Sequence, residues 1–479
     1  MQEHEKWEKP WKTVWPRMAT ASPQEKEEQR RRDAATVERA RAARARDPRP
    51  NVLFILTDQQ CATALSCAGN PYVNTPNMDW IAARGVRFAR SYCTDPVCTP
   101  SRGSLLTGRM PHEIGLSFLG DAPSPDAPNF GQVFREAGYE TVWAGKWGLG
   151  RVPGQDATPG FDDIAHGHGV ASTFGLGDVT DGLFAADTAF LLRWELQKIG
   201  LPWLCAISLN NPHDICMETA WPPRAHLNLA HYPPLPANFA IPPDEPDVVT
   251  AIRAGLGWLT NQEIPRTTDW DDARWRAYIE TYYHLTEQVD RYVGLVIRAL
   301  EEGGWLDNTL IILTSDHGDG CAAHKWAAKN CFYEETMAPP LLVSPPGGMA
   351  GSADLEHLAS GLDVLPTMCD YAGVTTPPVA GRSLRPIIED PRAPWRSFLA
   401  AEMAVGERAK PMHGRMVRSA RYKYCVYSTG SKRDQLFDMA ADPGEMQDLS
   451  ARAESADVIC EHRRMLREWM ELTGDTFPL

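Results

Sequence analysis

Four apolar segments, each ending in polar residues, constrain the fold of this chain most strongly. The first, N-V-L-F-I-L-T at 51–57, is almost continuously apolar, as expected of a central strand that helices cover on both faces. Segments 141–144, 203–209 and 310–314 repeat the pattern, and helical patterns occur at 76–84, 129–137, 185–198 and 271–302. This alternation predicts an α/β fold with a large, mostly parallel sheet flanked by helices.

The polar residues at the carboxyl ends of these strands form the first candidate site. They are Asp58 and Gln59, Lys146, His213, and Asp316 with His317. Ligands bind at this edge in open α/β sheets, so we expect these side chains to converge. A single aspartate is more often a cap or turn residue, but two strand-end carboxylates with an imidazole suit Ca²⁺, Mn²⁺ or Mg²⁺.

Cys98 begins a second candidate site, the segment C-T-P-S-R-G-S-L-L-T-G-R at 98–109. Pro100 suits the first turn of a short helix and Gly108 suits its end, which would place Cys98 just ahead of the helix. The unpaired N–H groups of a helix N-terminus favour an anion, and Arg102 adds a fixed cation. Taken alone, Cys98 is explained as a small buried apolar residue. With Arg102 it is a candidate nucleophile.

Composition excludes several classes of function. The formal net charge of −14 argues against nucleic-acid and acidic-membrane binding, so an anionic substrate would need local cations. The eleven cysteines lack C-x-x-C spacing and indicate mainly reduced thiols. Neither a membrane-spanning run nor a secretory signal is evident, so we expect a cytoplasmic protein, or a periplasmic or secreted one if the N-terminus is incomplete.

Three regions are predicted along the chain. Residues 1–48 form a helical arm, with Trp7, Trp11 and Trp15 followed by a capping box at Ser22. The tryptophans pack on their own domain or provide a homo-oligomer contact. Residues 49–375 form the catalytic α/β domain. Its Pro- and Trp-rich segment 214–270 is either a loop that shapes the substrate site or a disordered one, and its apolar content favours the former. Residues 376–479 form a smaller α+β domain with an antiparallel sheet and a final helix.

Residues 50–479 resemble the type I, formylglycine-dependent sulfatases of the alkaline phosphatase superfamily. The resemblance rests on T-D-Q, C-T-P-S-R, A-G-K-W, N-P-H, S-D-H-G-D, H-K-W-A-A-K-N-C-F-Y-E-E, R-S-A-R-Y-K-Y and Q-L-F-D-M-A-A-D-P-G-E. It implies that a formylglycine-generating maturation enzyme oxidises Cys98 to formylglycine (3-oxoalanine). The hydrated aldehyde is the nucleophile of that family.

The resemblance also implies roles for the other candidates. Asp58, Asp316 and His317 would bind the metal, Ca²⁺ or else Mn²⁺ or Mg²⁺, together with residue 98, and Gln59 is included in the predicted metal site. Arg102 would orient the aldehyde hydrate, Lys146 and Lys329 would hold sulfate oxygens, and His213 would protonate the leaving oxygen. These roles suit sulfate transfer, which needs positive charge on the equatorial oxygens and a general acid.

Two positions depart from the family pattern. Gln59 stands where many sulfatases have a second acidic residue. Gly148 stands where the family usually has the histidine of G-K-W-H, which puts sulfate elimination in doubt. His324 is the best replacement and a candidate substrate-binding residue, since it lies between Asp316 and Lys329 in the sequence. His112, His166 and His168 are the other candidates, and each of the four is more simply explained as a surface or structural histidine.

The favoured function is therefore a hydrolase that removes sulfate from a sulfated carbohydrate or polysaccharide. T-D-Q and S-D-H also resemble the phosphonate monoester and phosphodiester hydrolases, which form an alternative. A degenerate sulfatase that only binds sulfated glycans is a third possibility, and Gly148 is the feature that favours it.

Overall fold

The computed structural model describes residues 22–164, 175–220, 232–256 and 267–479, so Trp7, Trp11 and Trp15 lie outside the described residues. The strands are β1 (Asn51–Asp58), β2 (Val86–Phe88), β3 (Ser91–Tyr92), β4 (Glu140–Gly145), β5 (Asp162–Asp163), β6 (Trp203–Pro212), β7 (Thr309–Ser315), β8 (Leu341–Ser344), β9 (Ser352–Asp354), β10 (Ala359–Ser360), β11 (Phe398–Val405), β12 (Met412–Ser419), β13 (Tyr422–Tyr427) and β14 (Asp434–Asp438). The α-helices are α1 (Pro23–Arg44), α2 (Pro76–Ala83), α3 (Cys98–Thr107), α4 (Phe130–Glu136), α5 (Gly177–Phe190), α6 (Cys216–Ala220), α7 (Asp247–Ala251), α8 (Asp272–Glu302), α9 (Glu334–Met337), α10 (Val364–Ala372), α11 (Arg385–Glu389) and α12 (Ala456–Thr473). None of the helices in these ranges is both long and apolar enough to cross a bilayer.

The large sheet has eight strands in the order β5-β4-β6-β1-β7-β8-β2-β9. Strands β4, β6, β1 and β7 are parallel neighbours, so their carboxyl ends meet at one edge. Strand β8 pairs antiparallel with β7. The predicted α/β fold with a large, mostly parallel sheet is confirmed.

Helices cover both faces of this sheet. Because the side chains of a strand alternate between the two faces, the apolar residues of one strand enter two separate cores. Leu53 and Ile55 of β1 enter one core with residues of α2, α5 and α8. Phe54 and Leu56 enter the other core with residues of α3, α4 and α10. Every residue of β1 is buried, which explains its continuous apolar sequence.

The C-terminal region contains the predicted antiparallel sheet, in the order β11-β12-β13-β14. Leu466 of α12 packs against Val417 and Tyr424 on one face of this sheet. Met416 on the other face packs in a core with Phe332 and with Met337 of α9. The small sheet is therefore attached to the large one through apolar contacts close to α9.

The N-terminal helix α1 begins with the predicted capping box, in which Ser22 and Glu25 exchange hydrogen bonds. Near its end, Arg44 donates to the carbonyl oxygen of Leu196 at 3.0 Å and lies over the ring of Trp305. Ala40 is fully buried in the core below. This part of the arm packs on its own chain, and an oligomer contact by the arm stays a prediction.

Two predicted boundaries were wrong. Helix α5 covers 177–190, earlier than the predicted 185–198, and a π turn and a 3₁₀ turn follow it as far as Lys198. Its polar first half obscures the helical pattern, because Asp181 is buried there and accepts from the backbone N–H groups of Asn210 and Asn211. Cys98 is the first residue of α3 instead of preceding it, because the Ser101 N–H already bonds to the Val97 carbonyl.

Lys423 provides a test of the attachment between the two sheets. It is fully buried on β13, with Nζ 3.0 Å from Oε2 of Glu334 and 2.5 Å from Oε1 of Glu445. Lys423→Ala removes the cation beside the fully buried Glu445 and the partly exposed Glu334, so we expect a loss of roughly 3–5 kcal/mol in the free energy of unfolding. The midpoint of urea unfolding measures this loss.

The matched control is Lys432→Ala, which removes a partly exposed lysine whose Nζ is 3.7 Å from Asp448. Such ion pairs contribute at most about 1 kcal/mol. Equal shifts for the two variants would show that the buried pairs of Lys423 do not stabilise the attachment.

Candidate active site

Four buried side chains meet at the carboxyl edge of the large sheet. They are Asp58 at the end of β1, Cys98 at the start of α3, and Asp316 with His317 just after β7; one ligand atom of each lies within 4.8 Å of the others. We call these four residues the Cys98 cluster. Parallel pairing of β1 with β7 places the two aspartates side by side.

Arg102 holds the two aspartates of the cluster together. Its Nε donates to Oδ2 of Asp316 and its Nη2 to Oδ2 of Asp58, both at 2.8 Å. Its Nη1 donates to Oγ of Ser208 at 2.9 Å and to the carbonyl oxygen of Lys146 at 3.1 Å. Every polar end of this fully buried guanidinium is thus satisfied, which fixes both carboxylates.

Two lysines bring positive charge to Cys98. Lys329 Nζ lies 2.8 Å from Cys98 Sγ, and Lys146 Nζ lies 2.5 Å from Oδ2 of Asp58. Burial and the Asp58 carboxylate oppose ionisation of the thiol, but Lys146 and Lys329 outweigh them and lower the pKa of Cys98. Burial likewise opposes ionisation of Asp58, and the surrounding cations, Lys146 foremost, hold its pKa well below the ordinary value. The cluster therefore favours negative charge at position 98.

His317 presents its Nε2 atom to the cluster. Its Nδ1 lies 2.8 Å from the carbonyl oxygen of Gly318, which can only accept, so Nδ1 carries the proton. Nε2 lies 3.3 Å from Cys98 Sγ and keeps its lone pair for a ligand. Two carboxylates and such an imidazole form a donor set that fits a divalent cation. Asp58, Asp316 and His317, with residue 98, are the residues that would hold it.

The Gln59 side chain contacts residues outside the Cys98 cluster. Its Nε2 donates to Oδ2 of Asp319 at 2.8 Å and lies 3.3 Å from Sγ of Cys216. The hydroxyl of Tyr278 also donates to Asp319. The metal-binding role of Gln59 stays a prediction. Asp319 lies within S-D-H-G-D but had no predicted role. Tyr278 and Ser208 were not predicted, because they lie inside a helix and a strand and no motif marks them.

His213 lies at the same centre. Burial lowers the pKa of His213 well below its ordinary value, and the neighbouring charge of Lys146 adds to this effect. The Asp58 carboxylate acts in the opposite direction. His213 is consequently neutral until further negative charge enters the site.

His324 does not join the Cys98 cluster. Its ring stacks on Tyr333 with the ring centroids 3.8 Å apart, and its Nε2 faces Nδ2 of Asn238 at 3.4 Å and Oε2 of Glu335 at 3.9 Å. Burial lowers the pKa of His324 to about 3, so the imidazole is neutral near pH 7. Substrate binding by His324 stays a prediction, and these contacts give it no support.

The other candidate replacements for the usual histidine lie elsewhere or outside the described residues. His112 forms a separate group with Glu402 and Asp475, and its Nδ1 is 2.5 Å from a Glu402 oxygen. His166 and His168 lie outside the described residues. Among the described histidines, His213 and His317 are thus the two that interact with the Cys98 cluster.

Gly148 has a steric reason to lack a side chain. Its φ of +76° is a left-handed conformation, and a Cβ atom there would lie 2.6 Å from Cδ of Arg102. Its carbonyl oxygen accepts from the Thr99 hydroxyl at 2.7 Å, which fixes the turn against α3. The position of Arg102 therefore excludes a histidine at 148 unless the guanidinium moves.

Known proteins share both the sequence pattern and the fold. The family model described as Sulfatase matches residues 50–374, and the model described as N-sulphoglucosamine sulphohydrolase, C-terminal, matches residues 322–471. The chain is 29% identical to a Δ4,5-hexuronate-2-O-sulfatase of Bacteroides thetaiotaomicron, over 91% of this chain and 92% of that relative.

Solved structures agree with this similarity. A 2-O GAG sulfatase superposes with a TM-score of 0.75 at 28% identity, over 89% of this chain and 93% of that one. A structure bound to its substrate D-glucosamine-2-N,6-O-disulfate superposes with a TM-score of 0.73 at 26% identity, over 90% and 99%. A phosphonate monoester hydrolase of Agrobacterium radiobacter, at 24% identity and a TM-score of 0.70 over 88% and 95%, shares the fold. With a family match over more than half of its length, this chain belongs to the sulfatases, the formylglycine-type sulfuric ester hydrolases of the alkaline phosphatase superfamily.

Proposed function

We propose that this chain hydrolyses a sulfate ester on a sulfated carbohydrate, with residue 98 as the reacting position. The contact that carries the proposal is the 2.8 Å approach of Lys329 Nζ to Cys98 Sγ, within the buried Cys98 cluster. The relatives of the chain support a sugar substrate, since one is a hexuronate-2-O-sulfatase and another is bound to a glucosamine disulfate. Sulfated uronic-acid oligosaccharides are therefore the first substrates to test.

When present, formylglycine at position 98 supplies the nucleophile, and a divalent cation, Ca²⁺ in our proposal, supplies positive charge beside it. Asp58 and Asp316 offer hard oxygen donors, which suit Ca²⁺, and Mn²⁺ or Mg²⁺ are the alternatives. Elemental analysis of the purified protein distinguishes the three ions.

The remaining residues bind the sulfate group and move a proton. Lys329 and Lys146 bind sulfate oxygens and stabilise the charge that grows on them as the ester bond breaks. Arg102 keeps Asp58 and Asp316 in place during this change. His213 donates a proton to the leaving sugar oxygen, because a bound sulfate ester adds the negative charge that favours its protonated form.

Release of free sulfate from a panel of sulfated oligosaccharides tests the proposed function. The protein is co-expressed with a maturation enzyme, and Cys98→Ala serves as the control. We expect release by the parent protein and none by the variant, since the variant lacks the reacting group. Phosphonate monoesters are included in the panel. Their hydrolysis without any sulfate release, in protein shown by mass to carry the aldehyde, would contradict the proposal.

Lys329→Ala tests the charge at position 98. Because Lys329 is the buried cation closest to Cys98 Sγ, we expect turnover to fall by about 10²–10³-fold, as when one donor to a developing oxyanion is removed. Lys325→Ala is the matched control from the same loop, since the Lys325 Nζ lies over the Phe239 ring. Comparable losses in both variants would indicate a general effect of the loop instead of a role for Lys329.

Gly148→Ala tests the contact between Gly148 and Arg102. The new Cβ would displace the guanidinium that holds both aspartates, so we expect turnover to fall at least about tenfold, with less bound metal. Gly154→Ala is the control, because Gly154 also has a left-handed φ, +82°, but no atom of the described residues lies within 4 Å of its added Cβ. If both variants lose the same activity, backbone strain and not the displacement of Arg102 is the cause.

A further inference from the structure

Two cysteines outside the Cys98 cluster lie in direct contact beside it. The Sγ atoms of Cys61 and Cys321 are 3.6 Å apart, and all eleven cysteines of the chain are free thiols. Cys61 lies in the loop after β1, the strand that carries Asp58. Cys321 lies in the loop after β7, which carries Asp316 and His317. The two thiols thus face each other between the loops that hold the metal-ligating side chains.

The backbone on each side of the pair is held by hydrogen bonds. The N–H of Cys61 donates to the Tyr282 hydroxyl at 2.8 Å, and that hydroxyl donates to the Gln59 carbonyl at 2.7 Å. The N–H of Cys321 donates to Oδ1 of Asp319 at 2.7 Å. These hydrogen bonds hold the two Sγ atoms near each other. The Sγ atoms need to move closer by about 1.5 Å to reach the roughly 2.05 Å of a disulfide bond.

We propose that Cys61 and Cys321 form a reversible disulfide by exchange with a low-molecular-weight disulfide such as glutathione disulfide. Burial raises the pKa of the Cys321 thiol well above its ordinary value, but Cys321 is the more accessible of the two thiols. In its deprotonated form it attacks one sulfur of the small disulfide, which releases one thiol and leaves a mixed disulfide. Cys61, only 1% exposed and in contact with Cys321, then attacks the Cys321 sulfur and releases the second thiol. The protein loses two electrons and two protons, and the small disulfide gains them.

The bond would link two loops that are far apart in the sequence. It ties the loop after β1 to the loop after β7. In the unfolded chain it closes a very long loop, which lowers the conformational entropy of the unfolded state. The oxidised protein is therefore expected to unfold at a higher temperature than the reduced protein, by at least about 2 °C. Because the linked loops carry Asp58 and Asp316, the oxidised protein should also lose bound metal to a chelator more slowly.

Peptide mapping of the full-length protein tests the proposal directly. The protein is incubated with glutathione disulfide or with dithiothreitol, free thiols are blocked with a maleimide in denaturant, and the digest is analysed by mass spectrometry. We expect a peptide pair joined through Cys61 and Cys321, two hydrogens lighter than the separate peptides, that dithiothreitol restores to thiols. Fragmentation distinguishes Cys61 from Cys67 in the same peptide. Exposed Cys460 should carry a glutathione adduct, which shows that the oxidant was active.

Cys61→Ser and Cys321→Ser should each abolish the link and the rise in unfolding temperature, whereas Cys460→Ser should keep both. Full maleimide labelling of Cys61 and Cys321 after Cys460 has reacted would overturn the proposal. A rise in unfolding temperature that persists in Cys61→Ser would also overturn it. Neither readout involves sulfate hydrolysis, so the outcome is independent of the proposed function.

Discussion

The buried contact of Arg102 with Asp58 and Asp316 is the interaction on which the site depends. The guanidinium is 1% exposed and both carboxylates are fully buried, so each charge has lost its hydration. Such burial is tolerated because the donors of Arg102 have acceptors on both carboxylates, on Ser208 and on the Lys146 carbonyl. Through these bonds one side chain fixes helix α3 to strands β1 and β6 and to the loop after β7.

Positive charge at the site suits an anionic substrate, although the protein as a whole is acidic. The whole chain carries a formal net charge of −14, yet Arg102, Lys146 and Lys329 concentrate positive charge around position 98. Arg102 is largely neutralised by the two aspartates. The positive charges of Lys146 and Lys329 act on Cys98, and together they lower the pKa of its thiol against the effect of burial. A sulfate group would meet this local positive charge on a protein whose net charge is negative.

Gly148 illustrates how a departure from a family pattern can follow from packing. A histidine at this position would require space that the Arg102 side chain occupies. Gln59 departs in another way, because its amide bonds to Asp319 and Cys216. The two departures therefore modify the surroundings of the cluster while Asp58, Asp316 and His317 stay together.

Most of the fold and the centre of the site could be predicted from the sequence. Apolar runs such as 51–57 show which strands are buried on both faces, and the residue after each run must lie at the carboxyl edge of a parallel sheet. Sequence therefore determined the α/β architecture, the C-terminal antiparallel sheet and the grouping of Asp58, His213 and Asp316. The sequence could not place His324, whose nearness to Asp316 in the sequence suggested a contact that the structure does not show.

Only the tertiary structure decided that His324 stacks on Tyr333, that Ser208 supports Arg102 and that Cys61 touches Cys321. Periodicity fixes the face and the end of an element, whereas side-chain contacts between distant loops depend on how the packed elements bring those loops together.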